Sequence, residues 1–389
     1  MHDVAIVGGG PVGVFAAVLL TQQGLDVAVY EQRDDVSSRP RAIGIHPPAV
    51  TALARAGVDV KRDGVRITQG AAHADGRELG RMTFTDPGVY SLPQRHIERM
   101  LRARLTELNP AALRLGRRVA AVTRTPHGWE LGGVDDGAHL LVGADGVTST
   151  VRTALGVPWR SRPGRGRYAM ADVHDPRLPH LALLQFERGG VIESFPMPQG
   201  RRWVALLRDN SADLARSGAA RPEPARSGAA RSDPARAGAP ADSLSFESFA
   251  AIVHDRTGIE LTPPVEVSVF TAQQRLAGTF APDGAVLIGD AAHEVSPIGG
   301  QGLNLGWLDA VALAELLVQH LQPSAAQWSR FDRARRASAR RAMAQAAFNM
   351  RIGRAAPAPL HHVRSLGIRL LATPPARTFL ADAFTMRSL

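Results

Sequence analysis

Residues 3–32, DVAIVGGGPVGVFAAVLLTQQGLDVAVYEQ, decide the fold. The apolar run to Val7 reads as a buried strand, the glycines from Gly8 as a turn, the stretch to about Gln23 as a helix, and the segment ending at Glu31 as a second strand. In this β-α-β unit Gly8, Gly10 and Gly13 form G-x-G-x-x-G between strand and helix, and Glu31 closes the second strand. The first glycine permits a tight turn, the second lets backbone approach a pyrophosphate, and the third lets the helix pack on the strand. The helix N-terminus offers free N–H groups and the positive end of its dipole. Glu31 is placed to accept hydrogen bonds from ribose hydroxyls, and its charge disfavours a 2′-phosphate. A bound dinucleotide is the expectation.

A second stretch, residues 284–317, reads GAVLIGDAAHEVSPIGGQGLNLGWLDAVALAELL. It predicts a buried strand over Ala285–Ile288, then Gly289 and Asp290, a loop with Pro297, Gly299, Gly300, Gln301 and Gly302, and an apolar helix. An aspartate just past a strand's carboxyl end sits where open α/β sheets bind ligands, and a glycine-rich loop again feeds a helix N-terminus. Lacking G-x-G-x-x-G, this loop is expected to serve the same ligand as the first. Between the two, Leu92–Leu105 has helical spacing with Ile97, Leu101 and Leu105 on one face, and candidate strands lie near Leu113–Val122 and Leu140–Gly143, the latter followed by Asp145-Gly146. Short alternating segments from Tyr168 to Arg208, punctuated by Gly and Pro, predict an antiparallel sheet.

The chain has 389 residues, 44% hydrophobic and 21% charged, which is globular composition and more than one domain of roughly 150 residues. The balance of 46 basic against 36 acidic residues gives +10, but Lys61 is the one lysine and no basic-aromatic stripe accompanies the charge, so no nucleic-acid partner is expected. With no cysteine, disulfides, thiolate metal sites, cysteine nucleophiles and dithiol relays are excluded. The first apolar run begins at Val4, leaving no room for a leader, and no stretch reaches the ~18 apolar residues of a membrane span. A cytoplasmic protein is expected.

Residues 215–238 hold a near-repeat (ARSGAARPEP, ARSGAARSDP, ARAG), too polar and too rich in Pro and Gly to bury a face, and read as a surface insertion over 211–242. A helix is expected at Leu244–Val253 and a strand from Val265. After Pro323 a helix with many arginines and one acid, Asp332, should present a solvated basic face with Trp328, Phe331 and Phe348 inward, and the apolar tail, including Leu366 and Leu370, should pack as short helices.

Taken together, Gly8-x-Gly10-x-x-Gly13 with Glu31, GADG (143–146) with Ser149 and Arg152, and GDAAHEVSPIGGQGLN (289–304) resemble the FAD-dependent aromatic-hydroxylase type of flavoprotein monooxygenases. The resemblance implies an α/β fold, α+β overall. Residues 1–70, 93–165 and 270–322 would form a Rossmann-like FAD domain, residues 71–92 and 166–269 an antiparallel substrate sheet, and residues 323–389 a helical segment. It implies that Gly8, Gly10, Gly13 and Glu31 bind the ADP half of FAD, that Arg41 and Gln94 contact the cofactor, and that Asp145 and Gly146 serve FAD and NAD(P)H. Gly289 and Asp290 would reach the ribityl chain, and His293, Pro297 and Gly299 to Asn304, including Gly302 and Leu303, would line the flavin. The implied chemistry is oxygen transfer from a flavin hydroperoxide, formed with NADH or NADPH and O2, to a small phenolic, quinonoid or polyketide-like substrate.

A phenolic substrate calls for a base in the sheet, and His174, His180, Glu187 and Glu193 are available by position, although each reads more simply as a surface residue. No metal ligands are evident at metal-binding spacing. Two other readings stay open: a flavoenzyme of this fold without oxygen insertion, such as an isoprenoid reductase, and a non-catalytic flavin-binding regulator.

Overall fold

The segments of the first glycine motif and the strand after Ala285 fold into one sheet whose carboxyl edge collects their turns. The computed structural model describes residues 1–36, 43–174, 180–208, 244–262, 266–319 and 322–374, together with 376, 381, 382 and 384–387. Arg41 and the 211–242 insertion, with its repeat, lie outside the described residues. In the first sheet the neighbours are Leu113–Arg114, Val27–Tyr30, His2–Val7, Asp136–Gly143, Gly128–Gly132 and Ala121–Thr125, with Ala285–Leu287 added beside Asp136–Gly143. The central pairs are parallel, Val7 opposite Tyr30 and Gly143, and Gly143 opposite Leu287. One edge therefore carries Gly8, Glu31, Ala144-Asp145 and Ile288-Gly289 together, where open α/β sheets place their ligands.

Helices Pro11–Gln22, Gln94–Leu108 and Gln301–Gln319 are associated with this sheet. The first is apolar nearly all round and buried from Val12 to Leu20, as a helix sandwiched between other elements must be. The spacing expectation for Leu92–Leu105 is met two to three residues later, with Ile97, Leu101 and Leu105 buried. The expected strand at 113–122 is two short strands, because Arg114 ends one pairing and Ala121 begins another.

A second sheet orders His293–Glu294, Val267–Ala277, Trp159–Val173, Gly200–Leu207, Gly190–Met197, Ala182–Glu187, Gln69–Ala74 and Arg77–Thr83. Its pairings are antiparallel except that between Ala182–Glu187 and Gln69–Ala74. Its pairing reaches back to Trp159 and forward to Glu294, past the limits drawn from sequence, because two long strands pair over both ends of the sheet. Helix Phe246–Thr257 seals one face through Phe249, Ile252 and Val253 against Trp203 and Ala205. The other face carries Tyr168, Phe186, Val191, Val204 and Leu206, and Met350 of helix Ala325–Ile352 packs there. A small sheet of Gly44–Ile45, Val89–Ser91 and Val65–Ile67 also forms.

Three packing expectations change. Phe331 is buried, but Phe348 is 44% exposed, because it projects towards a cavity rather than into the helix–sheet core. Glu187 and Glu193 are buried, not on the surface, since their two adjacent strands lie inside the sheet, whereas His174 and His180 are exposed. On helix Ala358–Leu371, Leu366 and Leu370 stand exposed because His361 and Arg364 are the residues that dock it: His361 Nε2 meets Asp75 at 2.8 Å, and Arg364 donates to the carbonyls of Phe186 and Glu187. Among the described residues no helix is long and apolar enough to cross a membrane.

Candidate functional site

Close backbone approach explains the first turn. Gly8 has φ +108°, and a Cβ there would strike the backbone of Ala144 and Asp145, while a Cβ on Gly13 would overlap the Gly8 carbonyl. Gly10, the residue before helix Pro11–Gln22, differs: no atom lies within 4 Å of where its Cβ would stand. The helix N-terminus thus faces open space bounded by N–H groups, which fits an anionic group. Glu31 is buried beside it and accepts from Gly9 N at 2.9 Å and from Arg33 Nε at 2.9 Å. Burial pushes the Glu31 carboxyl up, but Arg33 and the Gly9 amide outweigh this and hold it below the usual range. Gln94 donates to Glu98 at 2.7 Å at the start of the neighbouring helix, and Arg102 reaches the Gly9 carbonyl at 3.4 Å.

Asp145 and Gly146 follow the central strand. The Asp145 Oδ2 accepts from Val151 N at 3.1 Å, whereas its Oδ1 has no hydrogen-bond partner; burial is the main cause pushing this carboxyl up. A Cβ on Gly146 would likewise meet open space. Ser149 caps the short helix Thr150–Ala154 by accepting from Arg152 N at 2.9 Å. Arg152, buried, stacks 4.0 Å over the Trp159 ring and donates to the carbonyls of Ala291 and Val147, tying this strand end to the Gly289–Ala291 turn.

In the second glycine loop Asp290 and Pro297 are exposed, and Gly302 and Leu303 are half-buried. Gln301 and Asn304, expected in the loop, fall in the first turn of helix Gln301–Gln319, so the loop proper ends at Gly300. Gly299 and Gly300 have φ +90° and +67°, conformations that favour glycine. Asn304 Nδ2 donates to the Gly44 and Gly300 carbonyls, and its Oδ1 accepts from His46 N at 2.8 Å. Gln301 Oε1 is buried without a hydrogen-bond partner. The Trp307 indole donates to the Pro11 carbonyl at 3.1 Å, fixing the two helix N-termini together.

His293 is placed apart from its loop neighbours. Its ring is fully buried against Phe280, and its Nε2 donates to Asp309 at 2.5 Å. Asp309 also accepts from Gly289 N and from Arg335 Nε. Asp309, Arg335 and His46 belong to no motif of the sequence, yet the fold brings them to this site. An acid inside the apolar run LNLGWLDAVALAELL was the available signal, since a buried charge demands partners. His46 gave no local signal. Its Nε2 donates to the Gly299 carbonyl at 2.9 Å, and burial pulls its pKa down to about 4, so it is neutral at pH 7.

Beyond Gly299 lies a cavity of about 130 Å³ between the second sheet and the C-terminal helices. Leu184, Phe186, Val191 and Phe195 line it from the sheet, and Phe348 from the long helix. Phe384 closes one side, stacked on Phe84 at 5.7 Å and edge-on to His46. Glu193 also lines the cavity, as do Arg81, Gln345 and Asn349; burial pushes the Glu193 pKa up to about 7. Among the described residues no group of three His, Asp or Glu could hold a metal ion.

Two open glycine cradles, two converging helix N-termini and unpartnered polar atoms on Asp145 and Gln301 at one sheet edge suit an extended dinucleotide. Comparison with known proteins agrees. Residues 1–349 match the family described as FAD binding domain. Para-nitrophenol 4-monooxygenase of Pseudomonas sp. (strain WBC-3) is 29% identical over 349 residues, covering 82% of this chain and 78% of that protein. Dialkyldecalin synthase of Streptomyces rugosporus is 29% identical over 342 residues, and the chain spans 66% of its length. The crystal structure of p-nitrophenol 4-monooxygenase from Pseudomonas putida DLL-E4 superposes with TM-score 0.82 at 21% identity, over 99% of this chain and 98% of that one.

Proposed function

This chain belongs to the FAD binding domain family and is a FAD-dependent oxidoreductase, and from that premise we propose that it is a monooxygenase of small aromatic compounds. It would take electrons from NADH or NADPH and place one atom of O2 in the substrate. One observation carries the reading: the apolar cavity ends at Gly299, the residue that also opens the glycine loop of the cofactor cradle. Substrate and flavin would thereby share a wall.

FAD, when bound, supplies the redox chemistry, accepting a hydride and passing on an oxygen atom. The chain's own residues bind and orient it. We assign the pyrophosphate to the Gly8, Gly10 and Gly13 turn, the adenosine ribose to Glu31, and the ribityl chain to Gly289 and Asp290. Arg41, Gln94, Asp145, Gly146, Pro297, Gly302 and Leu303 are assigned as further cofactor contacts. The N-terminus of helix Gln301–Gln319 would stabilise negative charge on the reduced ring through its amides and dipole. His46 and Asn304 hold that N-terminus in place, and the sheet wall would keep water from the reacting atoms. His293 would act through Asp309, as a support of the Gly289 turn.

The test is anaerobic reduction of the purified yellow protein by NADH or NADPH with a phenol and quinol panel, followed by aeration under isotopically labelled O2. Label in the product supports the reading, and a flavin that neither nicotinamide reduces would sink it. The relative named a dialkyldecalin synthase favours a second reading, catalysis without oxygen insertion; product formed without nicotinamide oxidation would select it.

A further inference from the structure

We propose that Glu193 accepts the proton of a substrate hydroxyl, so that the substrate class is a phenol, or an enol of similar acidity, with its O–H directed at the sheet and its ring towards Gly299. The proposal rests on the cavity being the substrate site and deepens that reading. Glu193 is 5% exposed, yet makes no hydrogen bond or ion pair with any of the described residues. Its cross-strand neighbours are Leu184 and Val204, both apolar. A carboxylate kept for stability would have a partner, because unpaired burial of a charge is costly. One left bare in the wall of a cavity is directed at a ligand.

The other polar groups nearby are engaged or unsuited. Arg81, on the rim, is held by Glu78 at 2.6 Å, and Gln345 donates to Asn349 at 3.0 Å. Tyr168, two strands away, has its phenol pushed up by burial and by Glu193 itself, and so stays neutral. Glu193 is the one carboxylate lining the cavity among the described residues. A carboxylate with an ordinary pKa of 4.5 is a poor base for a phenol near 10, whereas one near 7 halves that gap while remaining largely ionised at pH 8. In the step the substrate O–H bond breaks, the proton bonds to a Glu193 oxygen, and the electron pair remains on the substrate oxygen, where it enriches the ring for attack. No electrons change owner. The proton returns to the product oxygen.

The experiment measures binding to the flavin-loaded protein by flavin absorbance, without nicotinamide. The probes are phenol, 4-nitrophenol and 1-naphthol, each against its methyl ether, with benzylamine as a cationic control. At pH 8 at least one phenol should outbind its ether by about ten-fold or more, as expected for a hydrogen bond to a charged acceptor. The preference should shrink at pH 5.5, where Glu193 is protonated. Glu193→Leu should reduce the preference to within about two-fold, and Glu193→Gln should retain binding but lose the change between pH 5.5 and 8. The proposal is overturned if no phenol outbinds its ether, if Glu193→Leu leaves the preference intact, or if benzylamine binds best. Phenol preference without labelled product would leave this inference standing and remove the monooxygenase reading, and labelled product without phenol preference would do the reverse.

Discussion

His293 Nε2 and the Asp309 carboxylate meet at 2.5 Å with neither side chain exposed to solvent. This contact joins the turn after Gly289 to helix Gln301–Gln319, and Arg335 at 2.8 Å extends it to helix Ala325–Ile352. Burial pushes the Asp309 carboxyl up, but His293 and Arg335 together outweigh burial and hold it below its usual range. Asp309→Asn would leave Arg335 without its carboxylate, and breaking a buried pair in this way costs about 3–5 kcal/mol. The expected outcome is a lower Tm with reduced flavin content. An unchanged Tm would remove Asp309 from the support of the site.

The glycines of the first turn separate by role. Gly13→Ala forces a methyl against the Gly8 carbonyl and should lower both flavin content and Tm. Gly10→Ala meets no protein atom, so the apoprotein should lose no more than about 1 kcal/mol of stability, as expected for a cap position, while FAD affinity falls at least about ten-fold. Flavin titration of the two apoproteins, alongside thermal melts, checks this. Equal FAD affinity in Gly10→Ala and wild type would remove the pyrophosphate from this turn.

Glu193 makes stability depend on pH in an unusual direction. Its folded pKa, about 7, lies above the ordinary 4.5, so between these values the folded state holds the proton that the unfolded state has lost. Stability therefore falls as pH rises from 4.5 through 7, by up to about 3 kcal/mol. Glu193→Leu should equal wild type near pH 4.5 and exceed it at pH 8. Denaturation curves at both pH values decide the matter, and a variant less stable at pH 8 would contradict it.

His46 acts at the other end of the scale. Burial lowers its folded pKa to about 4 from 6.5, so the unfolded state takes up the proton first as pH falls, and stability is lost between pH 6.5 and 4, by up to about 3 kcal/mol. His46→Gln can keep a donor towards Gly299 without titrating. It should flatten the acid limb of a stability profile; a profile as steep as that of wild type would assign the acid sensitivity to other groups.

The sequence by itself determined that the glycine turns of a FAD binding domain gather at one sheet edge. Gly8, Glu31, Asp145 and Gly289 each lie just past a strand end, with Gly13 and Asn304 in the first turns of the helices that follow, and a parallel sheet brings strand ends to one edge whatever the details of packing. Local spacing suffices there, because turn geometry and helix N-termini are properties of a few consecutive residues. Only the tertiary structure decided the substrate side. Whether Glu193 and Phe348 face solvent or a cavity depends on which strand lies beside which and on where the C-terminal helices dock, and no periodicity records that. The partnership of Asp309 with His293 and Arg335 has the same origin: it joins residues from a loop and two helices, and the burial that makes it matter exists only once those elements have packed.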